Sequence, residues 1–195
     1  AVRRGMSADR AALLARLREA PGCDWRTGED AMAPYLAEQR GLYRGAALAV
    51  ALPQDTAAVS ALVRACVELD LALVPQGGNT GLCGGAVAQD ADRQVIVSLE
   101  RLDRIRAVNA ANFTLTAEAG CIVQRVREVA AENERLFPLS FGADGSARLG
   151  GAISTNAGGT NVLRYGNARE LTLGLEVVLA DGRVWDGLTA LRKDN

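Results

Sequence analysis

The groups best placed to do chemistry in this chain are backbone amides bared by glycine. Pro75-Gln76-Gly77-Gly78-Asn79-Thr80-Gly81-Leu82-Cys83-Gly84-Gly85 carries five glycines in eleven residues and follows an apolar run directly. Each glycine raises the entropic cost of ordering, by about 0.5–1 kcal/mol relative to alanine in regular structure. A fold tolerates that where the backbone takes positive φ or where something packs against bare main chain. Successive N–H groups in such a loop form a concave anion nest, and a diphosphate is its natural guest. Asn79 and Thr80 add side-chain donors. A long surface loop without a ligand is the competing reading. Two other nucleotide motifs fit poorly. A P-loop needs Lys-Ser/Thr after its last glycine, where this chain has Leu82. A dinucleotide fingerprint needs GxGxxG opening a helix, and Cys83-Gly84-Gly85 is a poor helix start.

A second stretch, from Pro138 to Gly159, is also rich in glycine and interleaved with Ser140, Ser146, Ser154, Thr155 and Asn156. Two such loops, each with hydroxyl or amide donors, point to one large extended ligand held between two subdomains. A flavin dinucleotide has that shape, with two phosphates, a ribityl chain and two flat rings.

The elements that must hold these loops are readable from periodicity. Residues 7–19 read as a helix capped by Ser7, with Leu13, Leu14 and Leu17 as its stripe, ended by Pro21-Gly22. Residues 25–42 show no regular pattern. Residues 47–52 form a continuous apolar run that suits a buried strand. Asp55-Thr56 then opens a helix to Leu69 with Val59, Leu62, Val63 and Cys66 on one face. Residues 71–74 and 95–99 read as two more buried strands, and connections of this length carry parallel pairing. A hairpin follows, with strands at 105–108 and 113–119 and a turn at 110–112. Residues 122–134 form a helix with Val123, Val126, Val129 and Ala130 inward. Residues 142–159 have no clear period. Residues 171–180 read as a strongly apolar strand, Asp181-Gly182 as a two-residue turn, and 183–186 as the returning strand.

Composition narrows the function classes. The chain has 195 residues, 49% of them apolar, so it can bury a core. Its 22 basic and 23 acidic residues leave a net charge of −1, which argues against a nucleic-acid surface or a polybasic anchor. No apolar run is long enough for a membrane span. There is no histidine, which removes histidine-based triads, bases and metal sites. Cys23, Cys66, Cys83 and Cys121 form no CxxC pair and read as small buried thiols of a reducing compartment, placing the chain in the cytoplasm. Trp25 and Trp185 read as core or interface. Arg40, Arg44 and Arg164 could approach a carboxylate or simply face solvent.

The glycine loops also carry a family resemblance. Residues 75–85 resemble the PxGGxTGLxGG signature of the FAD-linked oxidases that share the vanillyl-alcohol-oxidase-type, or PCMH-type, flavin fold. Residues 150–159 are similar to the GGxxxTNAGG segment of that family. Leu163-Arg164-Tyr165-Gly166, residues 173–182 and Leu191-Arg192-Lys193-Asp194-Asn195 match as well. The wording PQGGNTGL and LRKDN most resembles the D-2-hydroxyacid dehydrogenases, of the D-2-hydroxyglutarate and D-lactate types.

That resemblance implies an α+β fold with two FAD-binding subdomains. A small parallel α/β part with an N-terminal helical segment would span residues 1–102. An antiparallel sheet with helices would span 103–195, incomplete at its C-terminal side. FAD would be held non-covalently. Pro75, Gly77, Gly78, Asn79, Thr80, Gly81, Gly84 and Gly85 would wrap its pyrophosphate. Pro138, Gly142, Gly145, Ser146, Gly150, Ile153, Thr155, Asn156, Ala157 and Gly158 would follow the ribityl chain and ring system, and the Val177 backbone would meet the adenine. Tyr165 would pack near the flavin loop. Asp144, where relatives often carry lysine, would add negative charge near the flavin.

The family's catalytic histidine, substrate-carboxylate site and divalent metal belong to a cap domain outside these residues, so no catalytic residue is expected in this chain. The whole protein would oxidise a D-2-hydroxyacid to a 2-oxoacid by hydride transfer to the flavin. It would then pass electrons to a carrier flavoprotein or quinone, and the resemblance leaves a homodimer open. A non-catalytic flavin-fold or electron-transfer subunit, and an alcohol or sugar oxidase with a covalently held flavin, are the alternatives.

Overall fold

The computed structural model describes residues 8–189. Ser7 and the segment 191–195 lie outside the described residues. The chain forms two compact units. Among the described residues, one holds 8–75, 81–98 and 178–183, and the other holds 76–80, 99–177 and 184–189.

The first unit starts with α1 (Ala8–Leu17), whose Leu14 and Leu17 are buried. It continues through β1 (Cys23–Arg26), the short α2 (Glu29–Met32), one turn of 3-10 helix (Ala33–Tyr35), β2 (Ala46–Pro53), α3 (Thr56–Glu68), β3 (Ala72–Gln76) and β4 (Gln89–Ser98). The sheet order is β1-β2-β4-β3, with β2 and β4 parallel. Strand β2 buries seven of its eight residues, as expected for a central strand with both faces covered. Asp55 caps α3 by accepting the Ala58 amide at 2.7 Å, and α3 buries Ala58, Leu62, Val63 and Cys66. Met32, Ala47, Val50, Leu52, Ala88 and Ile96 form the core.

Two details differ from the sequence reading. Residues 23–26 are a strand, and it runs antiparallel to β2, so the unit is mixed rather than purely parallel. Strand β3 is an edge strand with only Gln76 of its own residues buried, because it has a neighbour on one side alone.

The second unit contains the antiparallel hairpin β5 (Ile105–Asn109) and β6 (Thr114–Ala117), then α4 (Val123–Glu132). Three short helices follow: α5 (Leu149–Ser154), α6 (Val162–Tyr165) and α7 (Ala168–Leu171). The last elements are the paired strands β7 (Leu175–Val178) and β8 (Val184–Gly187). Helix α4 buries Val123, Val126, Val129 and Ala130, the stripe its spacing predicts. Two of its first amides, which lack intrahelical partners, are satisfied by loop carbonyls: Val123 N–H donates to Ala147 O and Gln124 N–H to Asp144 O, both at 3.0 Å. The core is Val123, Leu139, Ala147, Ala152 and Ala168, with Phe137, Phe141 and Leu171 against it. Three of those five core residues, Leu139, Ala147 and Ala152, come from the glycine-rich stretch itself.

The expected long strand at 171–180 is shorter. Residue 171 closes α7, and only Leu175–Val178 pair as strand, none of them buried. Residues 149–154, read as irregular, form a helix.

The base of the β5–β6 hairpin is held by a buried carboxylate. Glu118 is shielded from solvent and accepts the Arg104 amide at 2.9 Å, the Arg104 guanidinium at 2.8 Å and the Arg106 guanidinium at 3.3 Å. Arg106 also reaches Glu176 at 3.0 Å. Burial alone would raise the Glu118 carboxyl, but these donors outweigh it and hold the group below the ordinary carboxylate range. A depressed carboxylate contributes stability that is present above its unfolded value, about 4.3, and lost as pH falls through the folded one. Glu118→Gln should therefore cost about 1–3 kcal/mol at neutral pH, and the gap to wild type should close as pH drops toward 3. Urea denaturation of both proteins between pH 7 and pH 3 checks this; a gap that stays constant across that range contradicts it.

Candidate cofactor-binding site

In the second unit, residues 76–80 lie against residues 146–151. Gln76 is buried, and its carbonyl accepts the Leu99 amide at 3.1 Å. From that anchor the chain runs along the other glycine stretch. A Cβ on Gly78 would collide with the Ser146 carbonyl and lie 3.2 Å from Ala147 Cα. A Cβ on Gly77 would sit 3.4 Å from Arg148 Cβ and 3.9 Å from the Gly151 amide nitrogen. Glycine is thus required at 78 by contact with backbone, whatever else the loop does. Asn79 takes φ 51°, a left-handed conformation that asparagine tolerates better than most residues. The amides of Gly77, Gly78 and Thr80 donate no hydrogen bond among the described residues.

The second stretch is rigidly built. Segment 119–122 is its rail: Gly150 N–H donates to Ala119 O and Leu149 N–H to Cys121 O, both at 2.8 Å. A Cβ on Gly150 would approach Ala119 Cβ to 2.8 Å, so Gly150 faces protein. Its neighbour Gly151 is exposed, has nothing within 4 Å of its Cβ direction, and its amide donates no hydrogen bond among the described residues. Gly142 likewise faces open space. A Cβ on Gly145 would lie 3.1 Å from Gln124 Oε1, and one on Gly158 would lie 3.2 Å from Val162 Cγ2 and 3.3 Å from Asn167 Oδ1. Gly159, at φ 107°, would collide with the Ser140 carbonyl if it carried a Cβ. Pro138 to Ser140 is stitched to this end: Asn161 Nδ2 donates to Pro138 O and Thr160 N–H to Ser140 O, both at 3.0 Å.

Several side chains expected as ligand donors are already engaged. Thr155 Oγ1 donates to Gly151 O at 2.9 Å, and Ser146 Oγ to Ala143 O at 3.5 Å. Asn156, at φ 51°, accepts the Arg169 amide at 3.0 Å. Ala157 donates to Ala152 O at 2.7 Å and accepts from Ala168 at 2.9 Å. The hydroxyl oxygens keep acceptor capacity, and the donors left over are the Asn156 Nδ2 group, which its accepting Oδ1 leaves unspent, and main-chain amides. Ile153 is half-buried and, with Ser154, Arg169, Gly174, Trp185 and Leu188, lines an open groove of about 940 Å³. Trp185 is exposed there rather than core. Val177 is half-buried in β7 beside Glu176.

Asp144 is not a free negative charge. Arg127 Nη1 lies 2.6 Å from its Oδ2, and Ser140 Oγ 3.4 Å away. Tyr165 is partly exposed, with the Arg164 guanidinium 5.1 Å from its ring centroid.

In the first unit, Gly81, Leu82 and Cys83 are exposed, and nothing lies within 4 Å of a Cβ built on Gly81 or Gly85. Gly84, at φ 72°, rests on the Tyr43 ring, 2.8 Å from its Cγ to the ideal Cβ position. The Arg40 guanidinium donates to the Leu82 carbonyl. The exposed Cys83 departs from the expectation of four buried thiols. Burial pushes the thiol of Cys66 up to about 12 and that of Cys121 up to about 11. Among the described residues, no cluster of acidic or cysteine side chains could hold a metal ion.

The geometry sorts the glycines in a way their spacing does not. Gly78, Gly84, Gly150 and Gly159 are demanded by neighbouring protein atoms. Gly81, Gly85, Gly142 and Gly151 present bare backbone to open space. Gly151 was not singled out from the sequence, because a Gly-Gly pair does not reveal which member faces outward until the helix register is known.

Residues 47–187 match the family model described as FAD binding domain. The chain is 46% identical over 167 residues to a probable mitochondrial D-2-hydroxyglutarate dehydrogenase of Oryza sativa subsp. indica, covering 86% of this chain and 30% of that protein. It is 46% identical over 143 residues to the mitochondrial D-2-hydroxyglutarate dehydrogenase of Danio rerio, covering 73% and 26%. The chain thus spans under a third of the length of these relatives. Among solved structures, an alkyldihydroxyacetonephosphate synthase superposes with a TM-score of 0.79 over 95% of this chain and 35% of its own, at 16% identity, which is a likeness of fold. The chain belongs to the family of PCMH-type FAD binding domains, and its cofactor is FAD.

Proposed function

We propose that this chain is the cofactor-holding part of a flavoenzyme that oxidises a D-2-hydroxyacid, of the D-2-hydroxyglutarate or D-lactate type, to the 2-oxoacid. The carrying observation is the set of unspent main-chain amides at Gly77, Gly78 and Thr80, beside glycines whose missing Cβ leaves their backbone open. Such amides suit a diphosphate, because each donates to an anion without bringing a side chain between. Residues 77–81 would hold the pyrophosphate, and the open backbone at Gly142 and Gly151 would lie along the ribityl chain and ring system. Val177 remains the proposed adenine contact.

FAD, when bound, would supply the two-electron acceptor for turning a C–OH into a carbonyl, as a hydride acceptor at N5. The chain's own share is to bind it, orient it and keep side chains off its face. Ser146, Thr155 and Asn156 shape the loop through their internal hydrogen bonds and can still accept from the cofactor. The attachment is non-covalent in this reading, and the electrons leave to a carrier flavoprotein or quinone. The hydroxyacid assignment rests on the sequence identity to D-2-hydroxyglutarate dehydrogenases over most of this chain.

Two experiments test these statements. The full-length protein should be yellow, release its flavin on denaturation, and bleach under anaerobic conditions when mixed with D-2-hydroxyglutarate or D-lactate but not with the L isomers. Bleaching by sugars or primary alcohols alone would defeat the hydroxyacid assignment. The second exploits a conflict between fold and ligand. Gly151 is an exposed helical glycine with room for a methyl group, so Gly151→Ala should stabilise the apo chain by about 0.5–1 kcal/mol. The same methyl should weaken FAD binding about tenfold, or ~1.4 kcal/mol. Thermal denaturation and flavin-fluorescence titration measure the two effects; a stabilised variant that binds FAD as tightly as wild type removes Gly151 from the site.

A further inference from the structure

Residues 36–45 form a small strap in the first unit, built around a carboxylate with no exposed side-chain surface. Glu38 accepts the Arg40 amide at 2.8 Å, the Leu42 amide at 2.7 Å and the Tyr43 amide at 3.4 Å, and the Arg40 Nε lies 3.5 Å away. The hydrogen bond from the Arg40 amide is the largest influence holding this carboxyl below its ordinary range. Main-chain bonds close the strap: Glu38 N–H donates to Tyr43 O at 3.1 Å, Gly41 N–H to Glu38 O at 2.9 Å, and Gly45 N–H to Leu36 O at 2.8 Å. Gly41 makes the reversal with φ 68°.

The locked strap presents two side chains to residues 82–84. Arg40 donates to the Leu82 carbonyl, and the Tyr43 ring lies under Gly84. Residues 81–85 otherwise have little to hold them. Their amides donate no hydrogen bond among the described residues, four of the five are exposed outright, and three are glycine. Ordering such a segment has an entropic cost, met either on folding or when the cofactor binds.

Resting on the assignment of residues 77–81 to the FAD pyrophosphate, we infer that Arg40 is a positioning residue for the cofactor loop: fixed by buried Glu38, it holds the Leu82 carbonyl so that the loop is ordered before FAD arrives. Arg40 acts through Leu82 and need not touch the cofactor. Its charge is already matched by Glu38, so the effect is one of geometry. Leu82 is exposed, which makes the order of this loop measurable without any ligand.

The test uses the full chain as wild type, Arg40→Ala and Arg40→Lys. Three quantities are read: the FAD dissociation constant from flavin-fluorescence quenching, the apo melting temperature, and the rate of chymotrypsin cleavage after Leu82 without FAD. Arg40→Ala should weaken FAD binding about tenfold and speed cleavage several-fold, with the apo melting temperature nearly unchanged, since Arg40 is a surface side chain outside the hydrophobic core. Arg40→Lys, which keeps a donor, should recover much of both losses. An Arg40→Ala chain that binds FAD within about twofold of wild type overturns the inference. So does a loss of binding that merely parallels a drop in melting temperature. Failure of the wild-type chain to take up FAD is a different result, and it defeats the cofactor-site assignment beneath the inference.

Discussion

The close approach of Gly78 to the Ser146 carbonyl is the constraint on which the glycine stretches of the second unit depend. Two stretches of main chain lie side by side with no side chain between them, and any Cβ at residue 78 would force them apart. The same device recurs nearby: Gly150 against Ala119, Gly120 against the Leu99 carbonyl, and Gly159 against the Ser140 carbonyl. Each contact substitutes backbone packing for side-chain packing. This explains how a stretch so rich in glycine can still be ordered. Its apolar residues, Leu139, Ala147 and Ala152, are sunk into the unit's core, and its glycines form the thin outer layer. The cost in chain entropy is met by that core, leaving amides that no protein acceptor uses.

Charge is arranged to suit such a surface. A diphosphate would be repelled by free carboxylates, and the carboxylates near the glycine stretches are paired. Glu38 faces Arg40, Asp144 faces Arg127, and Glu118 is held by Arg104 and Arg106. Arg148, at the start of α5, donates to Gly120 O at 2.6 Å and approaches Glu100 at 3.9 Å. The negative charge that the sequence suggested at Asp144 is compensated where it stands. A partly exposed pair such as Arg127–Asp144 contributes modestly to stability, and its larger effect here is to fix a loop whose backbone has few other restraints.

Much of this was legible in the residues. Helix α4 shows its four inward positions by spacing, because a helix on a single core obeys one period. Asp55 announces α3, since the cap is a local interaction between a side chain and amides three residues on. The run at 47–52 announces a central strand. The failures share a cause in tertiary context. Helix α5 holds two adjacent glycines, which intrinsic preference places outside helices; the rail at 119–122 and the burial of Ala152 override that preference. Strand β1 is only four residues long and exists because β2 offers it an edge. Strand β3 reads as buried by its apolar residues, yet its position at the edge of the sheet leaves most of it partly exposed. The glycine loops were evident as a class, but whether a given glycine serves the fold or faces open space depends on contacts from residues far away in sequence, such as Ser146 for Gly78 and Tyr43 for Gly84.

The chemistry left to this chain follows from what its side chains can do. It has no histidine, the residue whose unperturbed titration falls near neutrality. Two of its thiols are buried and pushed far above that range. Its paired carboxylates are held as anions by arginines and amides, which makes Glu38 and Glu118 poor proton donors and weak bases at neutral pH. Removing a hydroxyl proton while a hydride leaves the adjacent carbon requires a base matched to that range, and these groups do not provide one. Holding a dinucleotide requires the opposite character: donors that do not titrate, in a geometry that does not move. Main-chain amides on a glycine scaffold have that character, and Glu38–Arg40 in the first unit and Arg127–Asp144 in the second each fix a loop within its own unit. The proposed division of labour, with binding here and proton transfer in another part of the whole protein, is what these residue types favour.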